Sequence, residues 1–164
     1  MNTPSPLVQV RYAGPLGPMI LAASERGLAG AWFDGQRHLP DCSPWPEAAG
    51  HPVLQQAVAQ FAAYFAGTRA SFDLPLDLAR GTAFQQAVWR ALLTVRRGET
   101  ISYSALGRRA GCPAAVRAVG AAVGRNPLSV VVPCHRVLGA DGSLTGYAGG
   151  LDRKRALLQL EGAA

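Results

Sequence analysis

Residues 102–124 read SYSALGRRAGCPAAVRAVGAAVG, and this stretch decides the fold of the second half of the chain. A helix is predicted over 102–110, a break at the GCP sequence of 111–113, and a second helix over 114–124. Two helices joined by a short glycine-containing turn form a helix-turn-helix pattern. The pattern alone does not establish nucleic-acid binding, because any two packed helices with a short turn share it.

The second of these helices has two very different edges. At 100° per residue, Val116, Val119 and Val123 form an apolar edge that can pack on the body of the domain. Around Arg117, the opposite edge contains only small residues, and its glycines cost about 1 kcal/mol each relative to alanine. Two interpretations stay open: tight packing against another helix, or a smooth helix in a nucleic-acid groove with Arg117 projecting from it. The small residues are Gly120, Ala121 and Gly124.

Upstream, a helix is predicted from Thr82, because Thr82 and Gln85 have the spacing of a capping box. Its apolar stripe continues to Leu92, and the helix is expected to end near residues 97–98. Residues 72–78 alternate in polarity but contain Pro75, so they are interpreted as an extended linker. The domain boundary is placed at Arg80.

The first third of the chain is predicted to be an antiparallel meander of three strands, over 7–12, 19–24 and 27–33. Residues 34–52 are rich in turn formers and are expected to be an irregular loop, the least ordered part of the chain. An amphipathic helix follows, from Leu54 to about Gly67. The predicted fold class is therefore α+β, with an N-terminal domain over 1–80 and a mainly helical domain over 81–164.

The composition is that of a folded protein: 164 residues, 49% hydrophobic and 16% charged. Disordered and coiled-coil classes are excluded. No stretch approaches the ~20 apolar residues that a membrane span requires. The first six residues lack a secretory signal, so a cytoplasmic location is expected. The three cysteines are widely spaced and fit neither a disulfide framework nor paired metal-binding motifs.

The positive charge is confined to the second half. Residues 1–80 carry five arginines against six acidic residues, a net of −1, whereas residues 81–164 carry eleven basic against four acidic residues, a net of +7. Fifteen of the sixteen basic residues are arginine, a side chain suited to phosphate and base edges. A solvated surface or a GC-rich genome accounts for the same excess.

The densest chemical signal is VVVPCHRV, residues 130–137. We predict a strand that carries Cys134 as a nucleophile beside His135 as its base, with His135 and Arg136 supplying positive potential that favours the thiolate. Neighbouring side chains of a strand point to opposite faces, so direct contact between the thiol and the imidazole needs a turn, and otherwise a water must relay the proton. The alternative is a buried, inert cysteine, which the polar pair His135-Arg136 makes a poor fit.

At this point the sequence resembles a known family. The PCHR motif of 133–136, with Asn126-Pro127 before it and GYAGGL at 146–151 after it, is similar to the active-site signature of the O6-alkylguanine-DNA alkyltransferases. The similarity extends over about residues 80–162. It implies the two-domain fold and DNA repair by direct, single-turnover transfer of an alkyl group from O6-alkylguanine in duplex DNA to an internal cysteine.

The resemblance also implies roles for individual residues. Cys134 aligns with the alkyl acceptor, His135 with the base that activates it through a water, and Glu161 with the carboxylate that orients the imidazole. Asn126 resembles the hinge asparagine that ties the helix-turn-helix to the active-site segment. Tyr103 resembles the tyrosine that assists nucleotide rotation and protonates the departing base.

The family binds DNA through the minor groove and rotates the damaged nucleotide out of the duplex. Arg117 matches the arginine that fills the resulting gap, and Ala118 and Ala121 share its DNA-facing helix edge. The base pocket is expected at Val137, Tyr147, Ala148 and Gly149. Ala148 stands where some members have a serine, and this leaves the substrate preference open. Activity on O4-alkylthymine is also left open.

No metal is expected, because His38, Cys42 and His51 do not reproduce the zinc ligands of some members. No cofactor is expected either. Residues 153–155, RKR, either contact phosphate or are solvated. The expected partner is double-stranded DNA, bound by a protein that is monomeric without DNA.

Three other functions compete with this interpretation. A non-catalytic lesion-binding protein of the alkyltransferase-like kind would lack Cys134. A sequence-specific regulator would carry more polar side chains than Arg117 on its recognition helix. A cysteine hydrolase would need an acyl-substrate cleft near Cys134 and His135, of which the sequence gives no sign.

Overall fold

The computed structural model describes residues 6–163, and the chain divides between Arg80 and Gly81 into two units. Met1–Ser5, most of the segment from which a cytoplasmic location was expected, lie outside the described residues. Within residues 6–163, no helix combines the length and the apolar character that crossing a bilayer demands.

The first unit is built on the predicted meander. Strands β1 (Val8–Gly14), β2 (Gly17–Ser24) and β3 (Gly27–Phe33) pair antiparallel in chain order, and the β1–β2 hairpin closes at the pair Gly14 and Gly17. Helix α1 (Pro52–Phe65) packs on this sheet through its apolar stripe. The α+β class is confirmed, since a small antiparallel sheet with one helix precedes a mainly helical unit.

Two segments that were predicted to be an irregular loop and an extended linker are bound to the edges of the sheet. The backbone of Gln9 in β1 accepts from Ala48 and donates to Pro46, each at 2.9 Å, so the loop after β3 is pinned to β1. On the other edge, Leu28 donates to the Pro75 carbonyl at 2.8 Å and its own carbonyl accepts from Asp77. Residues 72–78 are extended as predicted, but they pair with β3 rather than forming a free linker.

The second unit opens with α2 (Ala83–Leu92), and the predicted capping box is present: Gln85 N donates to Thr82 Oγ1 and Thr82 N to Gln85 Oε1. The prediction that this helix continues to residues 97–98 is wrong. The Thr94 hydroxyl donates to the Ala91 carbonyl at 2.6 Å, which satisfies a terminal acceptor and turns the chain.

The helix-turn-helix consists of α3 (Tyr103–Arg109) and α4 (Val116–Gly124). Ser102 caps α3 by accepting from Ala105 N at 3.1 Å, and the turn closes where Cys112 N donates to the Gly107 carbonyl at 2.8 Å. Trp89 Nε1 donates to the Ala122 carbonyl and fixes α2 against α4.

Two short strands and a last helix complete the unit. Strand β4 (Ile101–Ser102) runs parallel to β5 (Val137–Leu138), a pairing that the sequence did not predict. It brings the residues after Cys134 next to the start of α3. Helix α5 (Leu151–Leu160) follows and places Glu161 directly after its last turn.

Candidate active site

Cys134 lies on a single 3₁₀ turn, Cys134–Arg136, and not on a strand. The prediction that a strand carries Cys134 is therefore wrong: of residues 130–137 only Val137 belongs to a strand, and Val130 has a φ of 74°. A short buried apolar run cannot be assigned to a strand by its pattern alone. Here the backbone of the run makes local hydrogen bonds, from Val132 N to the Leu128 carbonyl and from Cys134 N to the Val132 carbonyl. A side chain adds to them: buried Asn126 donates from Nδ2 to the Val132 carbonyl at 2.8 Å and accepts from Leu128 N at 2.9 Å.

The Cys134 thiol is buried, with 5% of its surface exposed. Burial raises its pKa, while hydrogen bonds with Asn126 and Tyr147 and the charge of Lys154 act in the opposite direction. The thiol is therefore protonated at neutral pH, and a base has to remove its proton before sulfur can attack.

His135 is fully buried, and its Nε2 lies 2.8 Å from Glu161 Oε2. Burial is the largest influence on its pKa and lowers it; hydrogen bonding to Glu161 opposes this, and Arg136 and Lys154 lower it further. The ring is thus neutral at neutral pH. When Nε2–H donates to the carboxylate, Nδ1 keeps its lone pair, and this atom has no hydrogen-bond partner within residues 6–163.

Arg136 forms a two-point pair with the same carboxylate. Its Nε lies 2.8 Å from Glu161 Oε1 and its Nη2 2.9 Å from Oε2, while Nη1 donates to the Val95 carbonyl at 2.6 Å. The expectation that Arg136 and His135 both supply positive potential to the thiol is wrong: His135 is neutral, and the charge of Arg136 is held against Glu161. Sequence reasoning did not find this pairing.

The cation that acts on Cys134 is Lys154, which the sequence placed in a solvated or phosphate-contacting RKR run. The surface interpretation is wrong for this residue, because Lys154 is fully buried on α5. Its Nζ donates to the Val137 carbonyl at 2.6 Å and to the Thr145 carbonyl at 3.0 Å. A signal was available: Lys154 is the only lysine in a chain of fifteen arginines.

The expected pocket residues differ in exposure, and of these Tyr147 is hydrogen-bonded to Cys134. Val137 and Gly149 are buried, and Tyr147 and Ala148 are half-buried. An open cavity of about 410 Å³ is lined by residues from Gly149 to Arg153, so only Gly149 of the expected set borders it. Lys154 donates to the carbonyl of Val137, and this oxygen keeps a second lone pair that can accept a further hydrogen bond.

The helix edge that was expected to face DNA is open. Arg117, Ala118 and Ala121 are all exposed on α4, and Gly120 is half-buried beside the ring of Tyr103. A carbon added at Gly124 meets nothing within 4 Å, so tight helix packing does not explain that glycine. Tyr103 lies at the start of α3, with its hydroxyl 3.1 Å from Thr145 Oγ1.

No group of three His, Cys, Asp or Glu side chains within the described range 6–163 is arranged to hold a metal ion.

Comparison with known proteins gives matches for both units. Residues 8–78 match the ribonuclease-like domain, and residues 83–163 the DNA-binding domain, of 6-O-methylguanine DNA methyltransferase. The chain is 50% identical over 147 residues to the methylated-DNA–protein-cysteine methyltransferase of Mycobacterium bovis, covering 90% of this chain and 87% of that one. It is 45% identical over 153 residues to the Methanosarcina acetivorans protein of the same name, covering 93% and 96%. Among solved structures, Mycobacterium tuberculosis OGT in complex with DNA superposes with a TM-score of 0.84 at 46% identity, covering 96% of this chain and 92% of that one.

Proposed function

This chain belongs to the 6-O-methylguanine DNA methyltransferase family, and we propose that it repairs DNA by moving the alkyl group of O6-alkylguanine in duplex DNA onto Cys134. The observation that carries the proposal is the buried Cys134 followed directly by His135, whose imidazole is bonded to Glu161 at 2.8 Å. A nucleophile, a base and an orienting carboxylate are the parts of a triad.

The reaction is a displacement at the alkyl carbon. A sulfur–carbon bond forms while the carbon–oxygen bond breaks, and its electron pair leaves with the guanine. The thiol proton passes to His135 Nδ1 through a water, and the departing guanine takes up a proton. The products are a thioether and a normal guanine. Cellular reductants do not reverse a thioether, so each protein molecule acts once, and no cofactor is needed.

The resting pair is neutral, and this determines how the thiol is activated. Because burial holds the thiol protonated and the imidazole unprotonated, the thiolate forms only as the proton moves to His135. Lys154 then stabilises the charge on sulfur. Asn126 fixes the Leu128 and Val132 backbone and so sets where Cys134 points.

The partner is DNA, and we propose that α4 enters the minor groove. The exposed edge of Arg117, Ala118 and Ala121 has no bulky side chain except the arginine, as a close approach to the groove floor requires. Extruding a nucleotide costs a few kcal/mol, which insertion of Arg117 and phosphate contacts offset. Tyr103 assists the rotation and supplies a proton to the departing base.

The flipped base is proposed to lie against Val137, Tyr147, Ala148 and Gly149. The carbonyls of Cys134 and Val137 would accept from its amino group, and the ring of Tyr147 would stack beside it. Ala148 offers no hydroxyl, so the lesion is held by backbone and ring contacts at this point. A monomer without DNA and a cytoplasmic location stay predictions.

The proposal is tested by peptide mass spectrometry after mixing the protein with a duplex carrying one O6-methylguanine. The tryptic peptide of residues 126–136 should gain one methyl group, stoichiometrically and only with the damaged duplex. Cys134→Ser should bind the same duplex and stay unmodified. If the wild-type protein binds the damaged duplex but is not methylated, it is a lesion-binding protein and the transfer mechanism is rejected.

A further inference from the structure

Thr145 is held from three sides in the loop between β5 and α5. Its carbonyl accepts from Lys154 Nζ at 3.0 Å, and Lys154 is itself fully buried. Its methyl group lies against Gly139, where an added side-chain carbon would come within 3.2 Å of it. Its hydroxyl lies 3.1 Å from the hydroxyl of Tyr103. Neither the sequence motifs nor the triad uses this residue.

Tyr103 is fixed at its other end by the helix-turn-helix. It is the first residue of α3, directly after the Ser102 cap, and its ring lies 3.8 Å from the position of a carbon added at Gly120 on α4. Helices α3 and α4 therefore fix the position of the ring, whereas the hydrogen-bond partner of the hydroxyl determines the direction of its O–H bond. That partner is Thr145.

We infer that Thr145 is a positioning residue for Tyr103: its hydroxyl donates to the phenolic oxygen and leaves the phenol proton free for the departing guanine. The inference rests on the proposed function. A hydroxyl has one donor, so a phenol that donates to the base can only accept from Thr145. The opposite direction, in which Tyr103 donates to Thr145, would occupy the proton that the reaction needs.

The proton balance supports this direction. The phenol O–H breaks as the guanine takes its proton. After transfer His135 returns the proton that it received from Cys134 to water, and water reprotonates Tyr103, so both groups end neutral. Thr145 keeps its own proton throughout, and its hydrogen bond strengthens while the phenolic oxygen carries negative charge. Lys154 makes the arrangement rigid, because it bonds the carbonyls of both Val137 and Thr145 and so ties the loop to the active-site turn.

The test is a double-mutant cycle on the single-turnover rate of Cys134 methylation by an O6-methylguanine duplex at saturating protein. Thr145→Val removes the hydroxyl at constant shape and should slow methylation about 3- to 10-fold, the effect of one lost hydrogen bond. Thr145→Ser keeps the hydroxyl and should stay within about twofold of wild type. In a Tyr103→Phe background, Thr145→Val should change the rate no further.

Two controls separate positioning from loop structure. Ser143→Ala removes an exposed hydroxyl of the same loop, one that hydrogen-bonds Asp141, and should leave the rate unchanged. Melting curves identify any variant that is not folded. Thr145→Ala provides a second removal of the hydroxyl if Thr145→Val does not fold.

The outcomes are distinct. An equal rate for wild type and Thr145→Val overturns the inference. So does an equal slowing by Thr145→Val in the wild-type and Tyr103→Phe backgrounds, which would mean that Thr145 only shapes the loop. Failure of the wild-type protein to become methylated would instead reject the proposed function.

Discussion

Replacing Arg136 with methionine should destabilise the protein and move the pH dependence of methylation. The guanidinium makes hydrogen bonds of 2.8 and 2.9 Å to Glu161 and one of 2.6 Å to the Val95 carbonyl. Glu161 is 6% exposed and Arg136 8%. Arg136→Met leaves the buried carboxylate of Glu161 without its guanidinium partner and the Val95 carbonyl without this donor.

The magnitude follows from this burial. Removing one member of a buried ion pair costs about 3–5 kcal/mol, because the other charge stays buried and loses its compensation. For a protein of this size, 1 kcal/mol lowers the Tm by about 2–4 °C, so the expected decrease is about 6–20 °C. Arg136→Lys keeps the charge but not the two-point geometry, and it should lie between wild type and Arg136→Met.

The assay is thermal and urea unfolding of four variants: Arg136→Met, Arg136→Lys and the two described next. Arg136→Met/Glu161→Gln removes the orphaned charge and should recover about half of the lost stability. Arg155→Met is the matched control: its side chain is 53% exposed and lies 3.6 Å from exposed Asp152, so its Tm should stay within about 2 °C of wild type. The reasoning would be refuted if Arg136→Met were as stable as Arg155→Met. It would also be refuted if Arg136→Met/Glu161→Gln were no more stable than Arg136→Met.

The second readout is the pH profile of methylation. Arg136 lowers the pKa of His135, so its removal should raise that pKa and leave His135 protonated at a higher pH. A protonated imidazole cannot accept the thiol proton. The rate of Arg136→Met should therefore begin to fall at a higher pH than the wild-type rate. A lower rate with an unchanged pH profile would mean that Arg136 only stabilises the fold.

Three further predictions concern the buried polar groups of the site. Asn126→Ala leaves Leu128 N without its acceptor and removes one of two donors to the Val132 carbonyl, which still accepts from Cys134 N at 2.8 Å. The change should cost about 1–3 kcal/mol by urea unfolding and nearly abolish Cys134 methylation; unchanged stability and an unchanged methylation rate would contradict the hinge role. The pKa of His135 in the folded protein lies below its ordinary value of 6.5, so the unfolded chain takes up a proton at this residue first as the pH falls. Below pH 6.5 the free energy of unfolding should therefore decrease by up to about 1.4 kcal/mol per pH unit, and above pH 6.5 His135 should have no effect on it. Melting curves should show this loss in wild type but not in His135→Gln, and identical pH dependence would exclude His135 as its source. Lys154→Met removes a charge that lowers the pKa of Cys134. The pH above which iodoacetamide alkylates Cys134 rapidly should therefore be higher than in wild type, whereas in Arg153→Met this pH dependence should be unchanged.

Much of the fold could be predicted because it depends on local patterns. The meander follows from short apolar runs separated by turn formers, and the start of α2 from the capping box of Thr82 and Gln85. The end of α2 was misplaced by about five residues, because the chain tightens where the apolar stripe gives no signal: Thr94 N and its hydroxyl both donate to the Ala91 carbonyl, and Val95 N donates to the Leu92 carbonyl. The pairing of residues 72–78 with β3 was missed because Pro75 was expected to prevent it. A proline lacks the donor but keeps its acceptor, and at a sheet edge the acceptor is sufficient.

The active-site turn could not be predicted from its own residues. The sequence of residues 130–137 has the β-branched character of a strand, and the interaction that prevents a strand comes from Asn126, six residues before Val132. The motif resemblance named Cys134, His135 and Glu161, but it said nothing of Arg136 and Lys154 as buried cations. Spacing alone gives no reason to join His135 to a carboxylate 26 residues away. Partner choice among buried charges is set by tertiary packing, which no local pattern contains.

The burial of the proposed nucleophile also explains how a protein that can react only once avoids losing its cysteine to side reactions. A thiol whose pKa was lowered at rest would be ionised in the cell and exposed to oxidation and adventitious alkylation. Here burial raises the pKa of Cys134 and lowers that of His135, so neither is charged before a substrate arrives. The thiolate forms only as its proton moves to His135, its negative charge is stabilised by Lys154, and that charge passes to the departing guanine as the sulfur–carbon bond forms. Selectivity for the lesion then arises because Cys134 ionises only when an alkylated guanine has entered the site. A variant in which Cys134 is already ionised without DNA should react faster with general thiol reagents but should not repair DNA faster.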